Sequence, residues 1–230
     1  MKLSSVSFFC PAYHDEKNLP RLIPAVASFL AGITDTYEIV ILHDGSPDRT
    51  GAVADEMAAA HSNVRVIHHE ANQGYGVTLG EGFRTAQYDY VMYTDGDAQF
   101  DVREFGPVLP LLETNDVLSG YALTKAASFG RKLQSFAYNA LLFVLFGSRW
   151  RDANCSMKVY KRRVLDRIDI RSKSAFIDAE MLLRARRAGF SIAQFPVTHY
   201  PRLEGVAHGS KPLVIAGTIR EMLMFRIGLL

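Results

Sequence analysis

The sequence predicts an α/β fold, with a mostly parallel central sheet flanked by helices in a single domain. Five short apolar runs have the length of buried strands, and amphipathic stretches of helical length separate most of them. Such alternation is typical of βαβ units, which build parallel sheets through right-handed crossovers. The strand candidates are Val6–Cys10, Glu38–Leu42, Val64–His68, Tyr90–Thr94 and Val117–Ser119, and the helical candidates between them are Asn18–Ala31, Arg49–Ala60, Gly76–Ala86 and Val102–Leu112.

The composition excludes several classes of protein. The chain has 230 residues, of which 48% are hydrophobic and 22% charged, so it can bury a large core and is not disordered. A net charge of +2 is too small to argue for nucleic acid, and we expect no such partner. Cys10 and Cys155 form no disulfide framework or CxxC motif, which favours a reducing compartment. No signal-peptide pattern or run of about 18 apolar residues is present, so we expect a cytoplasmic protein.

The second half of the chain contains a longer helical candidate, Phe129–Phe146, and two strongly apolar stretches. The stretch Ala140–Phe146 is interpreted as part of a core helix. In Pro212–Leu230, apolar residues are interleaved with Arg220 and Arg226. That pattern fits either a core helix or an amphipathic helix on a membrane surface.

Acidic or glycine-rich turns follow the first four strand candidates. They read PAYHDE, HDGSPD, NQGYG and DGD in chain order. Because ligands of open α/β sheets bind at the carboxyl ends of the strands, these turns are expected to lie around one site.

Asp95 and Asp97 form a D-x-D element directly after the fourth strand candidate. Two carboxylates that flank a glycine can point at one hard cation, Mg²⁺ or Mn²⁺, which also binds two oxygens of a diphosphate. The cation would relieve the carboxylate repulsion and neutralise a leaving diphosphate. The alternative is an acidic surface turn that caps the next helix. We assign that cap to Asp101, with Glu104 in the capping-box position.

The segment Gly74–Gly80 has the spacing GxGxxxG and follows the third strand candidate. A dinucleotide-binding fingerprint has another spacing and follows the first strand, so Gly74 is interpreted as a tight turn that enters a helix beside a phosphate. His61, His68 and His69 show no metal-ligand spacing to an acidic residue, and no ligand role is predicted for them.

Seven segments together match a known family over almost the whole chain: PAYHDEKNL, YEIVILHDGSPDRT, NQGYGVTLGEGF, YTDGDAQFD, DANCSMKVYKR, AEMLLRARRAGF and HYPRLEGVAHGSKP. They resemble the family 2 glycosyltransferases of GT-A fold, in the branch of dolichol-phosphate mannosyltransferase and bacterial polyprenyl-phosphate sugar transferases. The resemblance implies metal-dependent, inverting transfer of a sugar from a UDP- or GDP-linked donor. The acceptor would be a polyprenyl phosphate, reached by peripheral contact with the cytoplasmic face of a membrane.

On the donor side, the resemblance implies a nucleotide-sugar site in residues 1–121. Asp95 and Asp97 would hold Mg²⁺ or Mn²⁺ with the sugar diphosphate, and Asp44 would contact the uracil or guanine base. With the Gly74 turn, the residues implied for the nucleotide sugar are Pro11, Tyr13, Asp15, Asp44, Gly74, Asp95 and Gln99.

On the acceptor side, the resemblance implies an acceptor half in residues 122–211, followed by an amphipathic helix in 212–230. Asp97 and Asp152 are the catalytic candidates. A lipid phosphate is already ionised near neutral pH, so Asp152 would orient groups around it. A hydroxyl acceptor would instead need Asp152 as general base. The residues implied for the acceptor phosphate are Arg131, Arg202, Ser210 and Lys211.

The sequence departs from the family's pattern at two single residues and one pair. His14 stands where Asn is usual, His43 stands where Asp is usual, and the pair Cys155-Ser156 replaces Cys-Gly or Gly-Ser. The two histidines leave open a non-catalytic relative that binds nucleotide or lipid. A phosphotransferase of the haloacid-dehalogenase kind also carries D-x-D, but after its first strand.

Overall fold

A computed structural model describes residues 1–125, 129–201 and 212–230, and its centre is one seven-stranded sheet. The strands are β1 (Val6–Ala12), β2 (Tyr37–His43), β3 (Val64–His68), β4 (Tyr90–Tyr93), β5 (Val117–Lys125), β6 (Lys158–Lys161) and β7 (Ile192–His199). Their order across the sheet is β3-β2-β1-β4-β6-β5-β7. Only β6 runs antiparallel to its neighbours. The prediction of an α/β fold with a mostly parallel sheet is confirmed.

Helices cover both faces of this sheet. They are α1 (Leu19–Ile33), α2 (Thr50–Ala60), α3 (Tyr75–Thr85), a 3₁₀ helix (Val102–Glu113), α4 (Phe129–Phe146), α5 (Arg162–Leu165), α6 (Ile177–Arg187) and α7 (Pro212–Arg226). Successive strand residues point to opposite faces. Phe8 accordingly belongs to an apolar core that includes residues of α1, α2 and the 3₁₀ helix, whereas Phe9 belongs to a second core that includes residues of α3, α4, α6 and α7.

The segment after the D-x-D element differs from its predicted form. It is a 3₁₀ helix because Pro107 and Pro110 remove donors that an α-helix needs. Asp101 caps it, as predicted, by accepting a hydrogen bond from the Arg103 N–H at 3.0 Å. The prediction of a capping box with Glu104 was wrong, since the Glu104 carboxylate accepts from the Thr198 N–H of β7 at 2.9 Å.

The interpretation of Ala140–Phe146 as core is correct for only one side of α4. Leu142 is buried, whereas Phe143 and Val144 are 53% and 76% exposed. In α7, Met222 and Phe225 are buried against the body of the molecule. Within the described ranges, no helix combines the length and the apolar character that crossing a bilayer requires.

Candidate functional site

The site lies where the carboxyl ends of β1 and β4 meet. The chain proceeds from β1 to β2 and β3 on one side and then returns to β4 on the other side of β1, which makes this a topological switch point. The Gly96 N–H donates to the Pro11 carbonyl at 3.1 Å. A Cβ atom on Gly96 would lie 2.6 Å from that oxygen, so the D-x-D turn can approach β1 only with glycine at its centre.

Asp95 carries a carboxyl group in an unfavourable environment. Its Oδ1 atom is buried, and no described residue donates a hydrogen bond to it. Burial, followed by the charges of Asp97 and Asp178, raises the pKa of Asp95 to about 8, although Ser156 and Lys158 oppose the shift. A bound cation would stabilise the ionised form that the protein alone disfavours. The Asp95 carboxylate is therefore suited to serve as one ligand of a hard divalent cation.

Asp97 is buried and lies in a turn held by its neighbours. Its Oδ1 accepts from the Gln99 N–H at 3.1 Å, and Ala98 between them has a φ of 55°. The Gln99 side-chain amide donates to the Tyr200 carbonyl at 2.9 Å, and the Tyr200 N–H donates back to the Gln99 carbonyl. The second carboxylate of the pair is thus positioned by contacts to the chain just after β7.

The turn after β1 is organised by Asp15. Its Oδ2 accepts from the Tyr13 N–H and its Oδ1 from the Asn18 side chain, both at 2.9 Å. His14 adopts a φ of 61°, and its N–H donates to Ser46 Oγ at 3.0 Å. Asn and His are both enriched among residues with positive φ, which explains how His14 can replace the usual Asn.

Asp44 has several internal partners. Its Oδ1 accepts from the Gln73 N–H at 2.8 Å and its Oδ2 from the Gly74 N–H at 3.0 Å. His69 Nδ1 lies 2.7 Å from Oδ1. Asp44 therefore shapes the turn that enters α3, and its implied contact with a nucleotide base stays a prediction.

His69 is a site residue that the sequence interpretation missed. Its ring is almost fully buried between two carboxylates. Nδ1 lies 2.7 Å from Asp44 Oδ1, and Nε2 lies 2.5 Å from Glu81 Oε2. Burial lowers the pKa of His69, but the hydrogen bonds and charges of Asp44 and Glu81 outweigh it and raise the pKa above its usual value. Sequence spacing could not reveal these two partners, because they lie 25 and 12 residues away. That His69 is not a metal ligand stays a prediction.

His43 holds the turn after β2. Its Nε2 accepts from the Ser46 N–H at 2.9 Å, and its Nδ1 lies 3.0 Å from His68 Nδ1. His68 Nε2 in turn lies 3.0 Å from Asp55. Burial and the neighbouring His68 lower the pKa of His43, so its ring is neutral and can accept. His43 thus stabilises the turn after β2 by accepting a backbone hydrogen bond.

Asp152 is buried in the loop between α4 and β6. The Ala153 N–H donates to Asn139 Oδ1 of α4 at 3.1 Å. At the end of the same loop, Ser156 Oγ accepts from the Asp95 N–H at 3.3 Å. The loop that carries Asp152 therefore connects α4 to the D-x-D turn.

The four residues implied for the acceptor phosphate lie largely outside the described part of the chain. Arg131 belongs to α4, but its side chain is not among the described ones. Arg202, Ser210 and Lys211 lie in 202–211, outside the described residues. Their roles stay predictions.

A buried ion pair lies beneath the site. Lys158 Nζ donates to Asp178 Oδ1 at 2.6 Å, and both side chains are at most 2% exposed. The hydroxyl groups of Tyr93 and Tyr75 also donate to Asp178, the latter at 3.1 Å. In addition, Lys158 donates to the Cys155 carbonyl. The network joins the strand that leads to Asp95 with α3 and α6.

Comparisons with known proteins agree with this fold. A family model described as Glycosyl transferase family 2 matches residues 7–169. A dolichyl-phosphate hexose transferase of Haloferax volcanii is 31% identical over 189 residues, which are 80% of each chain. A polyprenol monophosphomannose synthase of Mycolicibacterium smegmatis is 28% identical, over 94% of this chain and 83% of the relative.

Solved structures show the same fold. A chain described as a mycobacterial protein has a TM-score of 0.75 and 18% identity, and the match covers 99% of this chain and 76% of that one. Glucosyl-3-phosphoglycerate synthase of Mycobacterium tuberculosis, crystallised with Mn²⁺, UDP and glucosyl-3-phosphoglycerate, has a TM-score of 0.72 and 20% identity, over 99% and 81% of the two chains. The fold is thus one that is found in a solved glycosyltransferase structure.

The chain belongs to glycosyl transferase family 2. It is also similar to glycosyltransferase AglD of Haloferax volcanii, at 30% identity over 86% of this chain. The chain spans a third of the length of that relative, since the match covers 33% of AglD.

Proposed function

We propose that this protein transfers a sugar from a UDP- or GDP-linked donor to a polyprenyl phosphate at the cytoplasmic face of a membrane. The observation that carries the donor side is the buried Asp95 carboxyl, with its raised pKa and its unpartnered Oδ1 among the described residues. Asp95 and Asp97 would hold Mg²⁺ or Mn²⁺, the ions that this oxygen-ligand set suits. Bound there, the cation would neutralise the charge of the leaving diphosphate.

The chain's own residues would orient the donor. Residues 1–121 would form the nucleotide-sugar-binding half. Asp15 holds the turn that contains Pro11 and Tyr13, and Asp44 holds the turn before α3 by accepting from the Gln73 and Gly74 N–H groups. The N–H groups of the first helical turn that follows suit a phosphate, which supports a diphosphate beside Gly74.

The proposal of a polyprenyl-phosphate acceptor is supported by the chemistry of the phosphate group and by the names of two relatives. The two relatives of comparable length are named a polyprenol monophosphomannose synthase and a dolichyl-phosphate hexose transferase, which supports a lipid phosphate as acceptor. Such a nucleophile is already ionised, attacks the anomeric carbon opposite the leaving group and inverts its configuration without a base. Arg131 and Arg202 would bind this phosphate through their permanently charged guanidinium groups, with Ser210 and Lys211 nearby.

Access to a lipid acceptor requires a position at the bilayer surface. The exposed Leu213, Ile219 and Leu223 of α7 support peripheral attachment of the C-terminal segment 212–230.

The donor side is tested by calorimetric titration of UDP and of GDP, each with and without Mn²⁺. We expect one nucleotide to bind tightly only with Mn²⁺, and Asp97→Ala to abolish that dependence. Asp101→Asn is the matched control, because Asn preserves the helix cap and lies outside the pair. Binding that is indifferent to Mn²⁺ and to Asp97 would refute the metal-dependent transferase.

Asp152 supports a second acceptor class, a hydroxyl group, because it is a buried carboxylate in the loop beside the D-x-D turn. Transfer assays with a polyprenyl phosphate and with a polyprenol distinguish the two. If the phosphate is the acceptor, Asp152→Asn should lower the rate of sugar transfer, and the dependence of that rate on pH should change little. Loss of the limb on the acidic side of the pH profile would favour Asp152 as general base, because a base acts only in its deprotonated form.

A further inference from the structure

The outer side of α4 is apolar and exposed. The side chains of Leu133, Phe136, Phe143 and Val144 are 56, 72, 53 and 76% exposed. Their spacing places them on one side of the helix, and the buried Leu142 lies on the opposite side. Contiguous apolar residues of this size on a surface mark a site of interaction with a partner or a membrane.

The sequence around this helix carries only positive charge. Between Asp116 and Asp152 there is no acidic residue, and the basic residues there are Lys125, Arg131, Lys132, Arg149 and Arg151. Lys132 and Arg149 are exposed near the two ends of α4. An apolar face flanked by cations suits an anionic lipid surface, where head groups attract the cations while apolar side chains enter the acyl boundary. A second copy of this face would bring like charges together.

The inner side of α4 contacts the candidate active site. Asn139 accepts from the Ala153 N–H, directly after Asp152. Burial, and then the charges of Asp178 and Asp152, raise the pKa of the Tyr138 hydroxyl, which places this ring near the same loop. An α-helix with its side chains is about 10–12 Å wide. If a bilayer lay against the outer side of α4, its head groups would therefore be about one helix diameter away from the loop that carries Asp152.

We propose that the outer face of α4, defined by Leu133, Phe136, Phe143 and Val144, docks the protein on the surface of an anionic lipid bilayer. This docking deepens the proposed function, on which it rests for the need to reach a lipid phosphate. It acts together with α7, because the Phe146 ring of α4 contacts the Phe225 ring of α7 with centroids 5.7 Å apart.

Flotation with lipid vesicles tests the docking face directly. The vesicles consist of phosphatidylcholine, with or without phosphatidylglycerol, and hold no polyprenyl phosphate. We expect the protein to float with the anionic vesicles, and Phe136→Asp/Val144→Asp to weaken that binding on the order of tenfold. Leu111→Asp is the matched control, since Leu111 is 39% exposed on the 3₁₀ helix that packs on the other sheet face. Equal thermal unfolding midpoints would show that both variants are folded.

Three results would overturn the proposal: no flotation of the unsubstituted protein, the same loss in Leu111→Asp, or a dimer that only the α4 substitutions dissociate. Transfer to a short-chain polyprenyl phosphate in solution, without vesicles, separates this inference from the proposed function. We expect Phe136→Asp/Val144→Asp to retain that transfer. Absence of transfer in every variant would refute the proposed function while the flotation result still decides the docking face.

Discussion

At the scale of single residues, the site depends on partners that are distant in sequence. The D-x-D carboxylates and the polar turns could be predicted, because each forms a local pattern at a strand end. His69 could not be predicted, because its two carboxylate partners come from the end of β2 and from α3. Only the paired register of β2 and β3 places the residue after His68 beside Asp44.

His69→Gln should make stability less dependent on pH. The folded-state pKa of His69 is raised above its usual 6.5, so its stabilisation is complete below about pH 6.5 and is lost as the pH rises through the folded pKa. We expect the variant to lose about 2 kcal/mol of unfolding free energy at pH 6 and clearly less at pH 9. Urea unfolding at both pH values measures this difference.

His61→Gln is the matched control, because His61 lies at the end of α2 and away from the two carboxylates. Equal losses at pH 6 and pH 9 in His69→Gln would contradict a charged imidazole between Asp44 and Glu81.

Ala98→Gly should stabilise the protein. Ala98 has a φ of 55°, in the left-handed region that costs a non-glycine residue about 1–2 kcal/mol. Glycine removes this strain but adds about 0.4–1 kcal/mol of unfolded-state entropy, so we expect a net gain of about 0.5 kcal/mol. Thermal unfolding measures it, with Ala52→Gly in α2 as the control that should destabilise. A lower midpoint for Ala98→Gly would show that the methyl group makes a compensating contact.

At the scale of secondary structure, the parallel strands were predictable and two strands were not. β1 and β2 are almost entirely buried, and their continuous apolar runs are typical of parallel strands covered on both faces. In β7, only Phe195 and Val197 are buried and Pro196 interrupts the run, so its pattern was too weak. The four-residue β6 contains Lys158, whose burial depends on an ion pair that the sequence does not reveal.

The helix α3 approaches β1 closely through Gly82. A Cβ atom at this position would lie 2.3 Å from the Phe9 ring, which is fully buried and stacks with Tyr93. Because this ring cannot move without repacking the core, we expect Gly82→Ala to lower the free energy of unfolding by about 1–3 kcal/mol. Gly32→Ala in α1 is the control, since nothing lies within 4 Å of its added methyl group, and it should be neutral or slightly stabilising. Similar unfolding midpoints for the two variants would contradict the close packing.

At the scale of the whole molecule, the proposed donor and acceptor halves are joined beneath the site. Lys158 of β6 and Asp178 of α6 come from the acceptor half, whereas Tyr93 of β4 and Tyr75 of α3 come from the donor half. The side chains of the other three residues all donate hydrogen bonds to the Asp178 carboxylate. Strands of both halves also alternate in one sheet, where β6 pairs with β4. We therefore expect the two halves to unfold together.

Lys158→Met tests this coupling, because it removes the cation and leaves the Asp178 charge buried. Losing one partner of a buried ion pair costs about 3–5 kcal/mol, so the unfolding free energy should fall by about that amount in a single transition. Lys158→Met/Asp178→Asn removes both charges and should recover part of the loss, because the introduced amide oxygen can still accept from the tyrosine hydroxyls. Arg103→Met, which breaks the exposed pair with Asp101, should change stability by less than about 1 kcal/mol. Urea unfolding followed by both fluorescence and circular dichroism measures these values. Two separate transitions, or a small loss in Lys158→Met, would mean that the halves are stabilised independently and that the site does not depend on the ion pair beneath it.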